Sequence, residues 1–261
     1  MRQRLFIFGL GYTAARIAAA PEARGWEVIS TGRAGTLVFG DSGAVRLALA
    51  DADQVLSSVP PGGDGLDPVL EHYGAELVGK PLTYLSSTGV YGDCGGAWVD
   101  ESAATGTGRR TARSEADAAW LARGARVLRL PGIYGPGRSA LERVRDGRAQ
   151  RIEQPGQVFS RVHVDDIVSG ALLALDAPAG AYNLADDLPA SQNAVIEQAC
   201  RLLRTPPPPL LSLEAAQLSP QARAFYDENR RITNAKAKRV LGWTPRYPTY
   251  REGMAALAAA A

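Results

Sequence analysis

Short apolar runs alternate with helix-forming segments over the first half of the chain. Residues 5–8 (Leu-Phe-Ile-Phe) form a continuous apolar run, which is typical of a strand buried on both faces. Further strands are predicted at 26–30, 53–59, 82–86 and 125–130, with helices between them at 12–20, 66–78 and 111–123. Strands that alternate with helices predict an α/β fold with a doubly wound parallel sheet. Residues 31–50 are short for a complete strand–helix–strand unit, so we expect a trimmed connection there with one helix missing.

The pattern loosens after Pro131. Helices are predicted at 140–146, 167–175, 193–203 and 235–241, short strands at 158–164 and 182–184, and an alanine-rich final helix, expected to fray, from Tyr250. Pro206 to Pro209 forms a stiff connector. We therefore predict a core domain over residues 1–135, to which residues 158–185 return, and a smaller mixed C-terminal lobe over residues 136–261.

Composition narrows the classes of partner. The 29 basic and 27 acidic residues leave a net charge of +2, which is too small to favour nucleic acid or an anionic membrane. The apolar stretch from Leu5 to Leu10 is too short to span a membrane, and no cleavage-site pattern follows it. Cys94 and Cys200 provide neither a disulfide framework nor the spacing of metal ligands. We expect a reduced cytoplasmic protein with no bound metal.

A glycine pattern follows the first strand. Gly9-x-Gly11-x-x-Ala14 lies between a predicted strand and a predicted helix, which is where a pyrophosphate site requires it. Gly9 permits the tight turn, Gly11 lets the backbone approach the phosphates, and Ala14 lets the helix pack closely on the strand. The free N–H groups of the helix N-terminus attract an anion. The pattern predicts a dinucleotide site; a generic strand–helix turn is the alternative.

The end of the second strand indicates which dinucleotide is bound. The residues there are Ser30-Thr31-Gly32-Arg33, and no acidic residue follows until Asp41. A carboxylate would repel a 2′-phosphate, whereas an arginine can hold it with a planar fork of donors. Arg33 therefore favours NADP(H) over NAD(H). The alternative is that Arg33 is only a solvated loop charge.

Four further motifs occur in order along the chain. They lie at residues 86–92 (SSTGVYG), 130–137 (LPGIYGPG), 162–166 (VHVDD) and 241–245 (LGWTP). With the glycine loop they resemble the extended short-chain dehydrogenase/reductase superfamily, and within it an atypical subgroup of the NAD-dependent epimerase/dehydratase-like members. The resemblance covers nearly the whole chain and implies a Rossmann-type core with a substrate-binding C-terminal lobe.

The resemblance also implies roles for individual residues. Ser87 matches the catalytic Ser/Thr that hydrogen-bonds the reacting oxygen, unless its hydroxyl only satisfies local backbone. With the glycine loop and Arg33, the predicted cofactor-binding set is Gly9, Gly11, Tyr12, Thr13, Ala14, Arg33, Ser58, Val59, Pro60, Ser86, Pro131 and Ile133. The implied substrate-pocket residues are Arg138, Arg161 and His163. His163 could equally be a satisfied core histidine, and Asp165 and Asp166 are expected to cap the following helix.

The chain departs from the family at its Tyr-x-x-x-Lys motif. No Tyr or Lys lies between Asp93 and Trp120, and the best register places Arg109 at the Tyr position and Arg113 at the Lys position. An arginine does not act as a proton donor, because it stays protonated in proteins. Arg113 could still hold the ribose hydroxyls as a fixed cation. The substitute donors considered are Tyr91, Tyr134 and His163, although both tyrosines are typical of packing positions.

Three functions are compatible with these motifs. The first is an NADP-dependent oxidoreductase acting on a small carbonyl or sugar-like substrate, with Ser87 polarising the carbonyl. The second is a non-catalytic NADP-binding sensor or regulatory protein, which the missing Tyr-Lys pair favours. The third is a nucleotide-sugar epimerase or dehydratase, which needs an efficient acid/base and fits the departure least. A small-molecule substrate is the expected partner, and analogy with the superfamily allows a homodimer.

Overall fold

Twelve strands and ten helices are found among residues 3–22, 25–63, 65–108 and 111–260, the ranges that the computed structural model describes. The strands are β1 (Arg4–Phe8), β2 (Glu27–Ser30), β3 (Gln54–Ser57), β4 (Leu82–Ser87), β5 (Trp98–Val99), β6 (Arg126–Leu130), β7 (Gly132–Tyr134), β8 (Arg151–Ile152), β9 (Arg161–His163), β10 (Gly180–Asn183), β11 (Leu210–Leu211) and β12 (Arg231–Ile232). The helices are α1 (Tyr12–Glu22), α2 (Ser42–Ala50), α3 (Pro68–Tyr73), α4 (Thr111–Ala122), α5 (Ala140–Arg145), α6 (Val164–Ala174), α7 (Gln192–Leu203), α8 (Pro220–Arg223), α9 (Ala235–Leu241) and α10 (Tyr250–Ala259). A 3₁₀ turn at Thr88–Tyr91 follows β4.

The main sheet has six strands in the order β10-β6-β4-β3-β1-β2, and every neighbouring pair is parallel. The register places Ile7 beside both Leu56 of β3 and Ser30 of β2. After β1 the chain passes to β2 on one side, and after β2 it crosses to β3 on the other. Ligands of doubly wound sheets bind at such a switch point, outside the carboxyl ends of the strands. The predicted fold class is confirmed.

Helices cover both faces of this sheet. Val45 of α2, Tyr73 of α3 and Trp120 of α4 pack with Phe6 and Phe8 on one face. On the other face, helices α1, α6 and α9 contribute small and branched residues to a second core. Each face of the sheet thus meets an apolar layer, which explains why the central strands read as continuous apolar runs rather than alternating ones.

Several boundaries differ from the sequence prediction. Residues 31–50, all of which are described, contain the helix α2 but no strand, and only an isolated bridge between Thr31 and Leu37 extends the sheet edge. The connection is trimmed as predicted, but a helix is present in it. The Asp41 carboxylate accepts the Ala44 N–H and caps that helix. The predicted strand 158–164 is confined to β9, since α6 already begins at Val164.

Asp166 of α6 links the C-terminal lobe to the helices that cover the sheet. Its carboxylate accepts the backbone N–H groups of Arg246 and Tyr247, while its carbonyl accepts the Trp243 indole N–H. The expectation that Asp166 caps α6 is therefore wrong: its carboxylate is taken by the later segment, and the ring of His163 caps the helix instead. Helix α10 packs Tyr250 and Met254 into the lobe and is capped reciprocally at its start by a threonine and a glutamate.

A buried ion pair links the elements that end at the site. Arg129 of β6 donates to both carboxylate oxygens of Asp117 on α4, at 2.7 and 3.1 Å. The hydroxyl of Ser86 donates to the same carboxylate at 2.6 Å. Arg129 also donates to the hydroxyl of Tyr91, which donates in turn to Asn183 at the end of β10. One polar network therefore connects β4, α4, β6 and β10.

We predict that Asp117→Ala lowers the free energy of unfolding by about 3–5 kcal/mol, because it leaves the Arg129 charge buried without its partner. Urea denaturation followed by circular dichroism measures this loss. The matched control is Asp51→Ala, which removes a partner of Arg4 in an exposed pair and is expected to change stability by less than about 1 kcal/mol. Equal losses in the two variants would contradict the prediction.

Candidate functional site

One cleft of about 680 Å³ opens at the carboxyl ends of β1, β3, β4 and β6. Its wall is formed by the start of α1, the residues after β3, the end of β4, α4 and the segment after β6. Residues of the C-terminal lobe complete the wall. The predicted cofactor residues on its wall are Gly11, Tyr12, Thr13, Ala14, Ser58, Pro60, Ser86, Pro131 and Ile133. Ser87, Arg113 and Arg138 lie on the same wall. Segments that are far apart in the sequence thus share one surface.

The glycine loop is shaped by close packing at Gly9. Its φ is +80°, and a Cβ there would lie 2.9 Å from the Cγ2 of Val59. The hydroxyl of Ser58 donates to the Gly9 carbonyl. Gly9 and Val59 therefore form the support behind the cleft wall and do not line it. At Gly11, by contrast, a Cβ would meet no protein atom within 4 Å, so the backbone faces the open cleft.

The chain after β2 lies against the same loop. The N–H of Gly9 donates to the Thr31 hydroxyl and the N–H of Leu10 donates to the Thr31 carbonyl. Gly32 has a φ of +123°, and a Cβ there would lie 2.9 Å from the Leu10 nitrogen. The next residue, Arg33, is exposed. Arg33 therefore stands beside the glycine loop, outside the lining of the cleft.

Ser87 ends β4 at the floor of the cleft. Its Oγ accepts the Gly89 N–H at 3.1 Å, which starts the 3₁₀ turn. This bond uses a lone pair and leaves the hydroxyl proton for another acceptor. The hydroxyl of neighbouring Ser86 is instead used by Asp117, although the residue lies on the cleft wall. Of the two serines, Ser87 has the hydroxyl that is free to donate into the cleft.

Arg113 lies in the first turn of α4 and reaches the cleft from the side. Its guanidinium donates to the hydroxyl of Tyr84 at 3.0 Å, which orients it. Burial raises the pKa of Tyr84 to about 12, so the phenol stays neutral beside the cation. Arg109, assigned to the tyrosine position, lies outside the described residues. The part of the site that is described therefore presents an oriented arginine on the cleft wall, at the position that the sequence register predicts for the lysine.

Neither tyrosine considered as a substitute donor lies on the cleft wall. Tyr91, the last residue of the 3₁₀ turn, is buried, and its hydroxyl is bonded to Arg129 and Asn183. Tyr134 packs edge-on against the ring of His163 and lines a smaller adjoining cavity. Burial raises the pKa of both phenols.

His163 is a packed histidine in this structure. Its Nδ1 accepts the Asp165 N–H at 3.2 Å, and its ring lies 4.3 Å from that of Tyr247. Its Nε2 has no hydrogen-bond partner among the described residues. Burial lowers the pKa of the imidazole. His163 lines none of the three cavities around the site.

The two arginines predicted for the substrate pocket share one of the smaller cavities. Arg138 lines the main cleft and this smaller cavity, and Arg161 lines only the smaller cavities. The main cleft therefore has one arginine of the predicted substrate set, and the smaller cavity of about 380 Å³ has both.

The lobe contributes residues that the sequence reasoning missed. These residues, which line the main cleft together with Ser87, are Gln221, Phe225, Glu228 and Arg230. Glu228 and Arg230 form an ion pair of 2.9 Å with side-chain exposures of 8% and 16%. In the sequence they lie in a mostly charged stretch at 227–231, which is typical of a solvated loop. Only the burial of the ion pair in the folded chain distinguishes this stretch from such a loop.

Neither a metal site nor a membrane-spanning helix is found in the described ranges. There, no group of three or more His, Cys, Asp or Glu side chains is placed to hold a metal ion. No helix in the same ranges combines the length and apolar character that crossing a bilayer requires.

The fold and parts of the sequence match known proteins. A conserved protein of unknown function from Silicibacter pomeroyi is 37% identical, with a TM-score of 0.88 over 99% of both chains. The 3-diazoavenalumate denitrifying reductase of a Streptomyces species is 32% identical over 140 residues, which span 49% of this chain and 45% of that protein. Protein YeeZ of Escherichia coli K12 is 28% identical over 79% of this chain and 86% of its own length. No protein-family model matches the chain.

Two solved structures show what the shared fold can hold. The dTDP-glucose 4,6-dehydratase of Bacillus anthracis, in complex with NAD, has a TM-score of 0.75 at 16% identity over 98% of this chain and 96% of its own. The human epimerase family protein SDR39U1 with NADPH has a TM-score of 0.74 at 17% identity over 98% of this chain and 99% of its own. The chain therefore has the fold of epimerase/dehydratase-type extended short-chain dehydrogenase/reductase enzymes. It belongs to the same family as the Silicibacter pomeroyi protein.

Asp186 is a buried carboxyl whose backbone N–H donates to the Arg161 carbonyl. It is 2% exposed, and its Oδ2 has no hydrogen-bond partner among the described residues. Burial raises the pKa of this carboxyl to about 7. The folded state therefore binds its proton more tightly than the unfolded state does. The resulting stability is complete below the unfolded pKa of about 4 and is lost as the pH rises toward about 7.

We predict that Asp186→Asn gains stability relative to the unmodified protein as the pH rises, by about 2–3 kcal/mol between about pH 5 and pH 8. The neutral amide removes the cost of ionising this buried group. Urea denaturation of both proteins at the two pH values measures the difference. A stability difference that stays constant with pH would contradict the assignment.

Proposed function

We propose that this chain is an NADP(H)-dependent oxidoreductase that acts on a small carbonyl or sugar-like substrate. The observation that carries the proposal is the single cleft shared by the glycine loop, Ser87, Arg113 and the segment after β6. A relative that matches half of this chain is named as a reductase, which supports the same class of reaction.

The residues of the cleft fit a nicotinamide dinucleotide. The exposed backbone at Gly11 and the first turn of α1 offer N–H groups to a pyrophosphate. Ser58 and Pro60 lie where the resemblance implies contact with the cofactor's ribose, and Pro131 and Ile133 where it implies contact with the nicotinamide. A bound nicotinamide supplies or accepts the hydride. The protein supplies position and charge around it.

Ser87 and Arg113 are the residues proposed to act on the substrate and the cofactor. The Ser87 hydroxyl, held by the Gly89 N–H, donates its proton as a hydrogen bond to the reacting oxygen and polarises the carbonyl. Arg113, oriented by Tyr84, holds ribose hydroxyls and keeps a positive charge near the developing anion. This arrangement stabilises the alkoxide formed by hydride addition, and the alkoxide takes its proton from solvent water in the open cleft instead of from a tyrosine.

Arg33 is proposed to select the cofactor. It follows Gly32, which is packed on the Leu10 nitrogen, so its side chain starts beside the pyrophosphate loop. An exposed guanidinium at this point can hold a 2′-phosphate with two donors.

We predict that the protein binds NADPH more tightly than NADH by about tenfold or more, as expected for charge-assisted bonds to one phosphate. Arg33→Asp is expected to remove this preference and shift it toward NADH. Calorimetric titration of each cofactor measures both affinities. Arg201→Asp, an exposed change on α7 away from the cleft, controls for net charge. Equal affinities in the unmodified protein would rule out Arg33 as the selecting residue.

We predict that Ser87→Ala lowers kcat by about 10²-fold or more, as for the loss of one positioned donor to a developing oxyanion. Ser87→Thr keeps the hydroxyl and is expected to retain most of the activity. NADPH oxidation with a library of aldehydes and ketones measures turnover, and fluorescence titration checks that cofactor affinity is unchanged. Equal turnover by the alanine and threonine variants would contradict the proposed role.

A non-catalytic NADP-binding role is the second candidate. The composition of the cleft favours it: Tyr12 is the one tyrosine on the wall within the described ranges, and its hydroxyl donates to the Pro136 carbonyl. This candidate requires tight NADPH binding, a cofactor-dependent change in the lobe and no turnover with any carbonyl. Steady hydride transfer to any of these substrates would eliminate it.

A further inference from the structure

Two smaller cavities, of about 380 and 530 Å³, adjoin the main cleft. Gly132, the first residue of β7, lines all three. The smaller two share Arg143, Arg148, Arg161 and Gln192. A molecule lying in them would therefore extend past Gly132 toward the segment that is proposed to contact the nicotinamide.

The charge of these cavities is positive and is only partly balanced. Arg161 is 7% exposed and donates to the carbonyls of Phe159 and Ala190, at 2.8 and 3.0 Å. Within the described ranges it has no carboxylate within ion-pair distance, and burial lowers its pKa to about 10. Arg143 also has no ion pair there; it is exposed, and desolvation by the surrounding protein lowers its pKa. A buried guanidinium without a carboxylate partner, as at Arg161, favours an anionic ligand.

The nearby acids are already engaged. Glu142, beside Arg143 on α5, accepts both the N–H and the hydroxyl of Ser139 in a capping box. Arg148 pairs with Asp146. Buried Asp186 is closer to neutral than an ordinary aspartate because burial raises its pKa to about 7. None of these carboxylates cancels the two arginines that face the cavities.

A further hydrogen-bond donor in these cavities also favours an anionic ligand. The Nε2 of Gln192 is buried and has no acceptor among the described residues. Gln192 begins α7 and lines both smaller cavities. Two guanidinium groups and an amide N–H group without an acceptor suit the oxygens of a carboxylate.

The larger of these two cavities is also lined by aromatic side chains. Phe159 and Tyr226 meet edge to face, with ring centroids 5.5 Å apart. Phe225 lies on the wall of the main cleft and of the larger adjoining cavity. These rings offer apolar contact to the body of a ligand whose charged end lies at the arginines.

We propose that the substrate is an organic acid with an apolar body. Its carboxylate binds Arg143, Arg161 and Gln192, its body lies against Phe159 and Tyr226, and its reducible end reaches the main cleft past Gly132. The orientation of the reducible end rests on the proposed function. The acid-binding site itself does not.

Calorimetric titration with benzoate, 3-phenylpropionate and octanoate, each compared with its uncharged amide, tests the site. At least one acid is expected to bind about tenfold or more tightly than its amide, since the amide lacks the charge that the arginines recognise. Arg143→Gln is expected to weaken that acid about tenfold. Arg145→Gln is the matched control, because Arg145 is exposed on the same helix and lines none of the cavities.

Three results would overturn the proposal. They are equal binding of every acid and its amide, equal losses from the two arginine variants, and tighter binding of inorganic phosphate than of all three acids. Titration of NADPH into the same samples separates this proposal from the assigned function. Lost cofactor binding with retained acid binding would reject the oxidoreductase alone, whereas the opposite result would reject the acid site alone.

Discussion

The site depends on an ion pair that is closed off from solvent. Asp117 and Arg129 join α4 to β6, and the same carboxylate accepts the Ser86 hydroxyl at the end of β4. Two charges are kept in a low-dielectric interior only when good geometry and further hydrogen bonds compensate their desolvation. Because each partner needs the other, the end of β4, the helix that carries Arg113 and the segment that follows β6 keep fixed relative positions. The shape of the cleft therefore depends on the ion pair between Asp117 and Arg129.

Sequence patterns predicted those parts of the fold that depend on residues close together in the chain. The apolar run of β1 and the glycines at 9 and 11 are adjacent in sequence, and their roles follow from strand burial and backbone conformation. The parallel sheet followed from the alternation of strands and helices. Helix α2 was not predicted, although Asp41 supplied a capping signal, because residues 31–50 are short for a complete strand–helix–strand unit.

The remaining features depend on contacts between distant segments. In the sequence, Asp117 is one of several polar residues on the alanine-rich helix α4. Only the folded chain places it against Arg129. Glu228 and Arg230 lie in a stretch without periodicity that becomes a wall of the cleft. For His163 the sequence allowed a substrate-pocket residue or a satisfied core histidine; the structure packs its ring, and its role as the cap of α6 was not predicted. Separating such interpretations requires knowing which face of β9 meets the lobe.

The attachment at Asp166 has a consequence for how the chain tolerates cutting and fusion. Two consecutive amides, at 246 and 247, satisfy this carboxylate, so removing the last sixteen or so residues would leave it buried among apolar neighbours with a raised pKa and fewer donors. The far end of α10 is exposed at Ala259 and Ala260. An affinity handle or reporter domain therefore belongs after the final helix, while a shortened version ending before Arg246 would be a poor choice for crystallisation or display.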